Sequence, residues 1–285
     1  MSYMHIPNLY KEQDILLLKE CFALEKIHGT SAHLTWKDNH VSYFPGGESA
    51  ERFHALFDDS ALTNAFQIKG HATVTIYGEA YGGKQQGQSW RYGKQLRFVA
   101  FEVRVGECWL AVSSAAAFVA DLGLEFVHFA RISTTLEALN AERDAPSEQA
   151  RRNGVEGIQP REGIVLRPII ELIKSNGDRI IAKHKRDEER ETKSPRAVID
   201  PAKLVVLEQA TAIAEEWVTP TRLQHVLDKL GPCGMEQIPN VITAMVEDVL
   251  REGNGEIVDS KEVRRAIGAA TAHLFKAKIR EVVIQ

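Results

Sequence analysis

Apolar and polar positions alternate through the first two thirds of the chain and fall at helical spacing in the last third. Cys21-Phe22-Ala23-Leu24 is an apolar run ending in Glu25-Lys26, which reads as a strand that delivers Lys26 to a turn at Gly29. Ser31 to Lys37 and Val41 to Phe44 predict two more strands, with Pro45-Gly46-Gly47 as a turn. Upstream, Lys11 to Lys19 sets Ile15, Leu16, Leu17 and Leu18 among charges and fits either a short helix or a strand lead-in. Glu48 to Phe57 places Phe53, Leu56 and Phe57 on one side of a helix. His71 to Ala80 alternates Ala72, Val74 and Ile76 with Thr73, Thr75 and Tyr77, a strand signature. After a glycine-rich loop from Tyr81 to Gly93, Leu96 to Val105 alternates again. Phe98, Ala100 and Glu102 would share one face, and Val99, Phe101 and Val103 the other. Cys108 to Val112 is expected to pair with it in a hairpin.

Ala115 to Leu122 and Thr134 to Arg143 read as helices, and Glu142 to Arg152 as charged and rich in loop. Gly163 to Pro168 is a short β-rich run. Glu171 to Ile173 and Arg179 to Ala182 are expected as strands around an Asn176-Gly177 turn. The pattern then changes: Lys183-His184-Lys185-Arg186 leads into acid–base alternation as far as Lys193, then Ser194-Pro195. Beyond, Leu204, Leu207, Ala210 and Ile213 fall at helical spacing. Helices are expected from Thr219-Pro220 to Leu230, from Ile238 to Arg251 and from Ser260 to Val283. The reading is an α+β domain over residues 1–195 and a small all-helical domain over residues 196–285.

Composition narrows the class. At 285 residues, 44% hydrophobic and 26% charged, the chain is an ordinary soluble globular protein with ample size for a core. A net charge of −4 excludes a global electrostatic case for nucleic acid, so any such binding needs positive charge gathered locally. Cys21, Cys108 and Cys233 are far apart and form no C-x-x-C, which argues against a zinc site or a disulfide framework. His28, His71 and His184 lack metal-ligand spacing and read as structural. The first ten residues carry no signal-peptide pattern and no apolar run spans a membrane, so a cytoplasmic monomer is expected.

The chemistry begins at Lys26-Ile27-His28-Gly29, a K-x-x-G pattern that is common by chance. Four more features accompany it, each at or beside the end of an expected strand: Gly78-Glu79, Phe101-Glu102, Glu162-Gly163-Ile164-Val165 and Lys183-His184-Lys185. In that order they resemble the motifs of the covalent nucleotidyltransferase superfamily, most closely the RNA ligase 2-like family of ATP-dependent RNA ligases. The resemblance covers about residues 1–195, and the helical tail suits that branch. It implies a nucleotidyltransferase (adenylation) domain of antiparallel sheets with flanking helices. It also implies a reaction in three steps: a covalent lysyl-AMP, transfer of AMP to a 5′-phosphate, and attack by a 3′-hydroxyl. The cofactors implied are ATP and Mg2+, or Mn2+, and the partners are RNA ends or nicked duplex RNA.

Residue roles follow from that resemblance. Lys26 is the nucleophile, and a lysine at its ordinary pKa is neutral in fewer than about one molecule in a thousand at pH 7. Lys183 and Lys185, two apart on a strand, would depress that pKa and neutralise phosphate charge. Glu162 is the candidate metal holder, with Glu156 in a second E-G-I as its competitor. Phe101 would stack on adenine, with Phe98 as the alternative. Glu79 would contact the ribose, the backbone at Glu25 and Ile27 the adenine edge, and Gly29 would let the nucleotide approach. The chain departs from the family at Ser31, where asparagine is common, and at Pro45-Gly46-Gly47, where an arginine is frequent and Arg52 lies nearby. Alternative readings are a DNA ligase, an RNA capping guanylyltransferase, or a nucleotide-binding protein without turnover.

Overall fold

The structure, a computed structural model, describes residues 3–83, 89–189 and 209–284. The chain divides into two compact units, residues 1–186 and residues 187–285. The expected boundary at 195/196 and the positions Leu204 and Leu207 lie outside the described residues.

In the first unit, a 3₁₀ turn over Asp14–Leu17 gives the ambiguous lead-in a helical form. Strands β1 (Glu20–Lys26), β2 (Gly29–Lys37) and β3 (His40–Phe44) follow, then helices α1 (Ala50–His54) and α2 (Asp59–Lys69). Next come β4 (Thr73–Tyr81), β5 (Arg97–Val105), β6 (Cys108–Trp109) and α3 (Val112–Asp121). The unit continues through β7 (Phe129–Ser133), α4 (Leu136–Asp144), α5 (Glu148–Arg152), β8 (Gly163–Pro168) and β9 (Ala182–Lys185). Among the described residues the strands form two antiparallel sheets, ordered β7-β1-β8-β9 and β3-β2-β4-β5-β6. The chain therefore crosses from one sheet to the other between Lys26 and Gly29.

The second sheet packs one face on helices. Leu34, Trp36, Ile76 and Val103 join Leu62 and Phe66 of α2 and Phe118 of α3 in one buried cluster. Helix α2 was not expected from the sequence. It has only Leu62 and Phe66 as buried residues, four apart, while Ile68 is exposed. Its ends are well specified: the Asp58 carboxylate accepts from Ala61 N at 3.0 Å, and Gly70 closes the last turn at φ 70°. Burial of its two apolar side chains contributes about 1.5–3 kcal/mol each. Between the two sheets lies a second cluster, including Phe22, Leu24, Ile27, Tyr81, Val99 and Val127.

Other expectations shift. Strand β7, also unforeseen, forms the edge beside β1, from Glu20–Ser133 to Leu24–Phe129. Strand β6 covers only Cys108–Trp109, and α3 starts at Val112. The stretch read as loop-rich contains α5. The strands expected around Asn176-Gly177 reduce to a single bridge, Ile173 to Arg179, closed by Lys174 N donating to Asp178 O at 2.7 Å.

The second unit is helical as expected: α6 (Ala210–Trp217), α7 (Pro220–Leu230), α8 (Ile238–Glu252) and α9 (Lys261–Ile284). Its core includes Ile213, Trp217, Val226, Met245, Ile267 and Phe275. Arg222, buried, donates to Asp248 at 2.6 Å.

Candidate active site

A cavity of about 130 Å³ lies between the two sheets. Strand β1 brings Glu25 and Lys26 to it, followed by Ile27; the other sheet brings Ser31, Glu79 and Phe101. Gly29, Glu162, Lys183 and Lys185 are not part of this lining. Glu162 and Lys185 connect to it through Lys26. The Lys26 Nζ donates to Glu162 Oε2 at 2.8 Å, and Lys185 Nζ lies 3.1 Å from Glu162 Oε1.

Register explains the convergence. Lys26 lies opposite Gly163 on β8, and Gly163 opposite Lys185 on β9, so the two lysines flank one glycine in a single row. A Cβ at Gly163 would meet His184 O at 2.4 Å and Lys185 Cα at 2.7 Å, so this approach of β9 to β8 requires glycine. Lys183 is buried on the same face of β9, opposite Val165, which lines the cavity. Its backbone is bracketed by the N-terminal segment: Lys183 N donates to Pro7 O and Leu9 N to Lys183 O, both at 2.8 Å.

Glu162 is buried, and His28 Nδ1 stands 3.6 Å from its Oε2. Burial raises its pKa, but His28, Lys26 and Lys185 outweigh that and hold the carboxyl well below the usual range. His28, read as structural, thus belongs to the electrostatics of the site. Glu156 is exposed on a turn, so the first E-G-I does not compete.

Glu79 on β4 lies opposite Ser31 on β2. Burial and the nearby Glu162 push its pKa up to about 8, against the pull of Lys26 and the Gly29 N–H. At neutral pH it holds a proton and can donate as well as accept. Gly29 has its own reason here: a Cβ would meet Ala80 O at 2.4 Å and Glu79 Cγ at 2.7 Å. The space beside Gly29 is taken by β4 and the Glu79 stem.

Phe101 reaches the cavity on the same face as Val99, and a β-bulge in β5 brings Glu102 to it as well. Gly78 faces Ala100 and Tyr77 faces Glu102, which leaves Phe101 unpaired between them. The extra residue reverses the alternation. Val103 joins Ala100 in the helix-facing cluster, while both Phe101 and Glu102 line the cavity. This corrects the expected sharing of a face by Glu102 with Phe98 and Ala100. Phe98 packs against Phe53 and Phe57, with ring centroids 5.7 and 5.5 Å away, and Phe101 is the aromatic at the cavity.

Sequence reasoning missed a buried charge cluster. Glu102 accepts from Tyr3 Oη at 2.6 Å and from Arg179 Nη1 at 2.8 Å, and pairs with Arg167. Arg167 and Arg179 both pair with Glu171 as well. The Tyr3 ring meets Phe101 edge-on at 4.9 Å. A signal was present: Glu102 and Arg167 each interrupt an apolar strand, where a lone charge needs a buried partner. The side chain of Glu25 was also missed. Its buried carboxylate accepts from Ser147 Oγ at 2.5 Å, Glu148 N at 3.0 Å and Gln149 N at 3.1 Å, and so fixes the first turn of α5. Arg52, on α1, pairs with Glu48 just before that helix and is largely exposed.

Residues 19–185 match the RNA ligase family, a span that includes each motif from Lys26 to Lys185. Solved structures of similar fold include the RNA ligase of Naegleria gruberi with pyrophosphate, at 17% identity and TM-score 0.51, over 66% of this chain and 56% of that one. A variant of that ligase with AMP and manganese aligns at 15% identity and TM-score 0.52, over 67% of this chain and 59% of that one. Another, with ATP and manganese, aligns at 15% identity and TM-score 0.50, over 66% and 57%. The chain thus spans less than two thirds of the length of these proteins, and at such identities the likeness is one of fold. No curated protein matches the chain.

Proposed function

We propose that this chain, which belongs to the RNA ligase family, seals RNA 3′-hydroxyl and 5′-phosphate ends with ATP through a lysyl-AMP on Lys26. The observation that carries the reading is the position of the Lys26 amine. It stands on the cavity wall, about a quarter exposed, held at 2.8 Å by a carboxylate that is itself buried. Such a lysine is oriented and reachable at once.

Glu162 fixes the Lys26 amine toward the cavity, and the incoming nucleotide displaces that ion pair. Nζ then gives its proton to solvent and attacks the α-phosphorus of ATP. An N–P bond forms, the bond to the bridging oxygen breaks, and pyrophosphate leaves. Lys185, and Lys183 on the same strand face, offset the charge that accumulates on the phosphates. Phe101 stacks on the adenine ring, and Glu79 exchanges hydrogen bonds with the ribose hydroxyls. Glu25 keeps β1 and α5 in fixed relation, so that the backbone at Glu25 and Ile27 presents constant polar groups to the adenine edge. In the second step an oxygen of the RNA 5′-phosphate attacks the same phosphorus, and the N–P bond breaks. In the third, a 3′-hydroxyl attacks the activated 5′-phosphate and AMP leaves.

The donor set fits a divalent cation bound largely through substrate. Among the described residues no three His, Cys, Asp or Glu side chains gather as a metal cluster. Magnesium is commonly held by one or two carboxylates with waters and phosphate oxygens, and Glu162 would be that carboxylate, directly or through water. When bound, the cation, magnesium or manganese, withdraws charge from the phosphates.

The test is sealing itself: full-length protein with ATP and magnesium on nicked RNA duplex, nicked DNA duplex and single-stranded RNA ends. The reading expects RNA products that depend on ATP and on a 5′-phosphate. Sealing of DNA alone, or no product with any substrate, overturns it.

A further inference from the structure

A chain with a net charge of −4 must gather positive charge locally to hold a polyanion. Between Glu79 and Glu102 the sequence has no carboxylate, and it includes Arg91, Lys94 and Arg97. In the same stretch a 3₁₀ turn over Ser89–Tyr92 holds Trp90 out in solvent, 61% exposed. The other tryptophans differ: Trp36 and Trp217 are buried and Trp109 is half-buried.

This exposure is imposed by a rigid mount. Tyr92, two residues on, is buried, and its hydroxyl accepts from the His28 backbone N–H at 3.2 Å. Its carbonyl accepts from Asn153 Nδ2 at 3.0 Å, and its ring meets Tyr81 edge-on at 5.4 Å. The Arg91 guanidinium is buried beside the indole, 5.9 Å from the ring centroid. The turn is thereby fixed to the chain two residues after Lys26. Lys94, just beyond, is exposed.

We propose that Trp90 is a stacking platform for an unpaired base of the RNA strand, with Lys94 and Arg97 drawing its phosphates; the inference rests on the RNA-sealing reading above. An indole offers its face to any base, and stacking of this kind is typically worth several-fold to over a hundredfold in affinity. Cations next to the ring supply the salt-dependent part of binding. A platform mounted on the backbone that follows the nucleophile holds the strand close to where its end is activated.

Full-length protein and its Trp90→Ala, Trp90→Leu and Trp90→Phe variants are titrated, without ATP, into a dye-labelled, 5′-phosphorylated single-stranded RNA followed by anisotropy. Lysine adenylylation by ATP alone is measured on the same samples. The expected result is about tenfold weaker RNA binding for the alanine and leucine variants and affinity within about twofold for phenylalanine, with adenylylation retained. Alanine or leucine variants that bind as tightly as the native chain overturn the proposal. So does joint loss of adenylylation and RNA binding, which would make the turn a support for Lys26 alone. If the native chain binds RNA through Trp90 yet forms no lysyl-AMP, the sealing reading fails and the platform stands.

Discussion

Glu102 and Glu162 are both buried carboxylates, and each is held by two cations, yet the two clusters differ in kind. Glu102 pairs with Arg167 and Arg179, which also share Glu171, and it accepts the Tyr3 hydroxyl. Two arginines face two glutamates, so the charges cancel. Arginine keeps its proton in all ordinary conditions and binds as a planar fork. Glu162 is held by Lys26 and Lys185, with His28 close by. Lysine is a flexible point charge that can give up its proton, and here two lysines surround one ionised carboxylate. Next to them, burial pushes Glu79 up to about 8. One cluster locks the strands with cations that never release their protons; the other holds its carboxylate with lysines that can.

The largest expected effect breaks the locked cluster. Glu102→Ala leaves two buried arginines sharing Glu171 alone and should cost about 3–5 kcal/mol of stability, read by urea unfolding. A change below about 1 kcal/mol would show that Glu171 alone carries both arginines. Next, the lysine cluster: Lys185→Ala and Lys183→Ala should each slow adenylylation about a hundredfold, or about 2.7 kcal/mol, with the thermal midpoint within a few degrees of the native value. Native rates would reduce these lysines to strand-face charge.

A smaller effect is expected at Phe101→Ala, about a tenfold rise in the ATP concentration needed for half-maximal adenylylation. Phe98→Ala should instead lower stability, because its ring packs on Phe53 and Phe57. Glu79→Gln is read as a pH dependence rather than as a single size of effect. The folded-state pKa of Glu79 is raised, so the native chain binds more protons than the unfolded one between about 4.5 and about 8. Its contribution to stability therefore falls as pH rises through that window and levels off above it. The glutamine variant should gain thermal midpoint relative to the native chain as pH rises, and a constant difference from pH 5 to 9 would remove the raised pKa from the account.

The same contrast marks what the sequence made legible. Lys26, Glu79, Phe101, Glu162 and the Lys183/Lys185 pair were visible because each sits in or beside a strand with a strong local pattern. The locked cluster was not, because Glu102, Arg167 and Arg179 meet only through pairing far apart in sequence. The β-bulge at Phe101 was invisible for a related reason: one skipped partner reverses the faces without changing any residue. Helix α5 has only five residues, and what fixes its first turn is Glu25, more than a hundred positions earlier. Helix α2 has too few buried apolar positions to announce itself, and β7 is a short edge strand whose partner is β1.

The central claim is that Lys26, held on the cavity wall by buried Glu162, is the carrier of AMP. Full-length protein is incubated with α-labelled ATP and magnesium, denatured, digested and mapped by mass spectrometry. The account predicts one acid-labile AMP adduct on the peptide containing Lys26, absent in Lys26→Ala and absent when EDTA removes the divalent cation. No adduct on the native chain, or an adduct that survives Lys26→Ala, would contradict it.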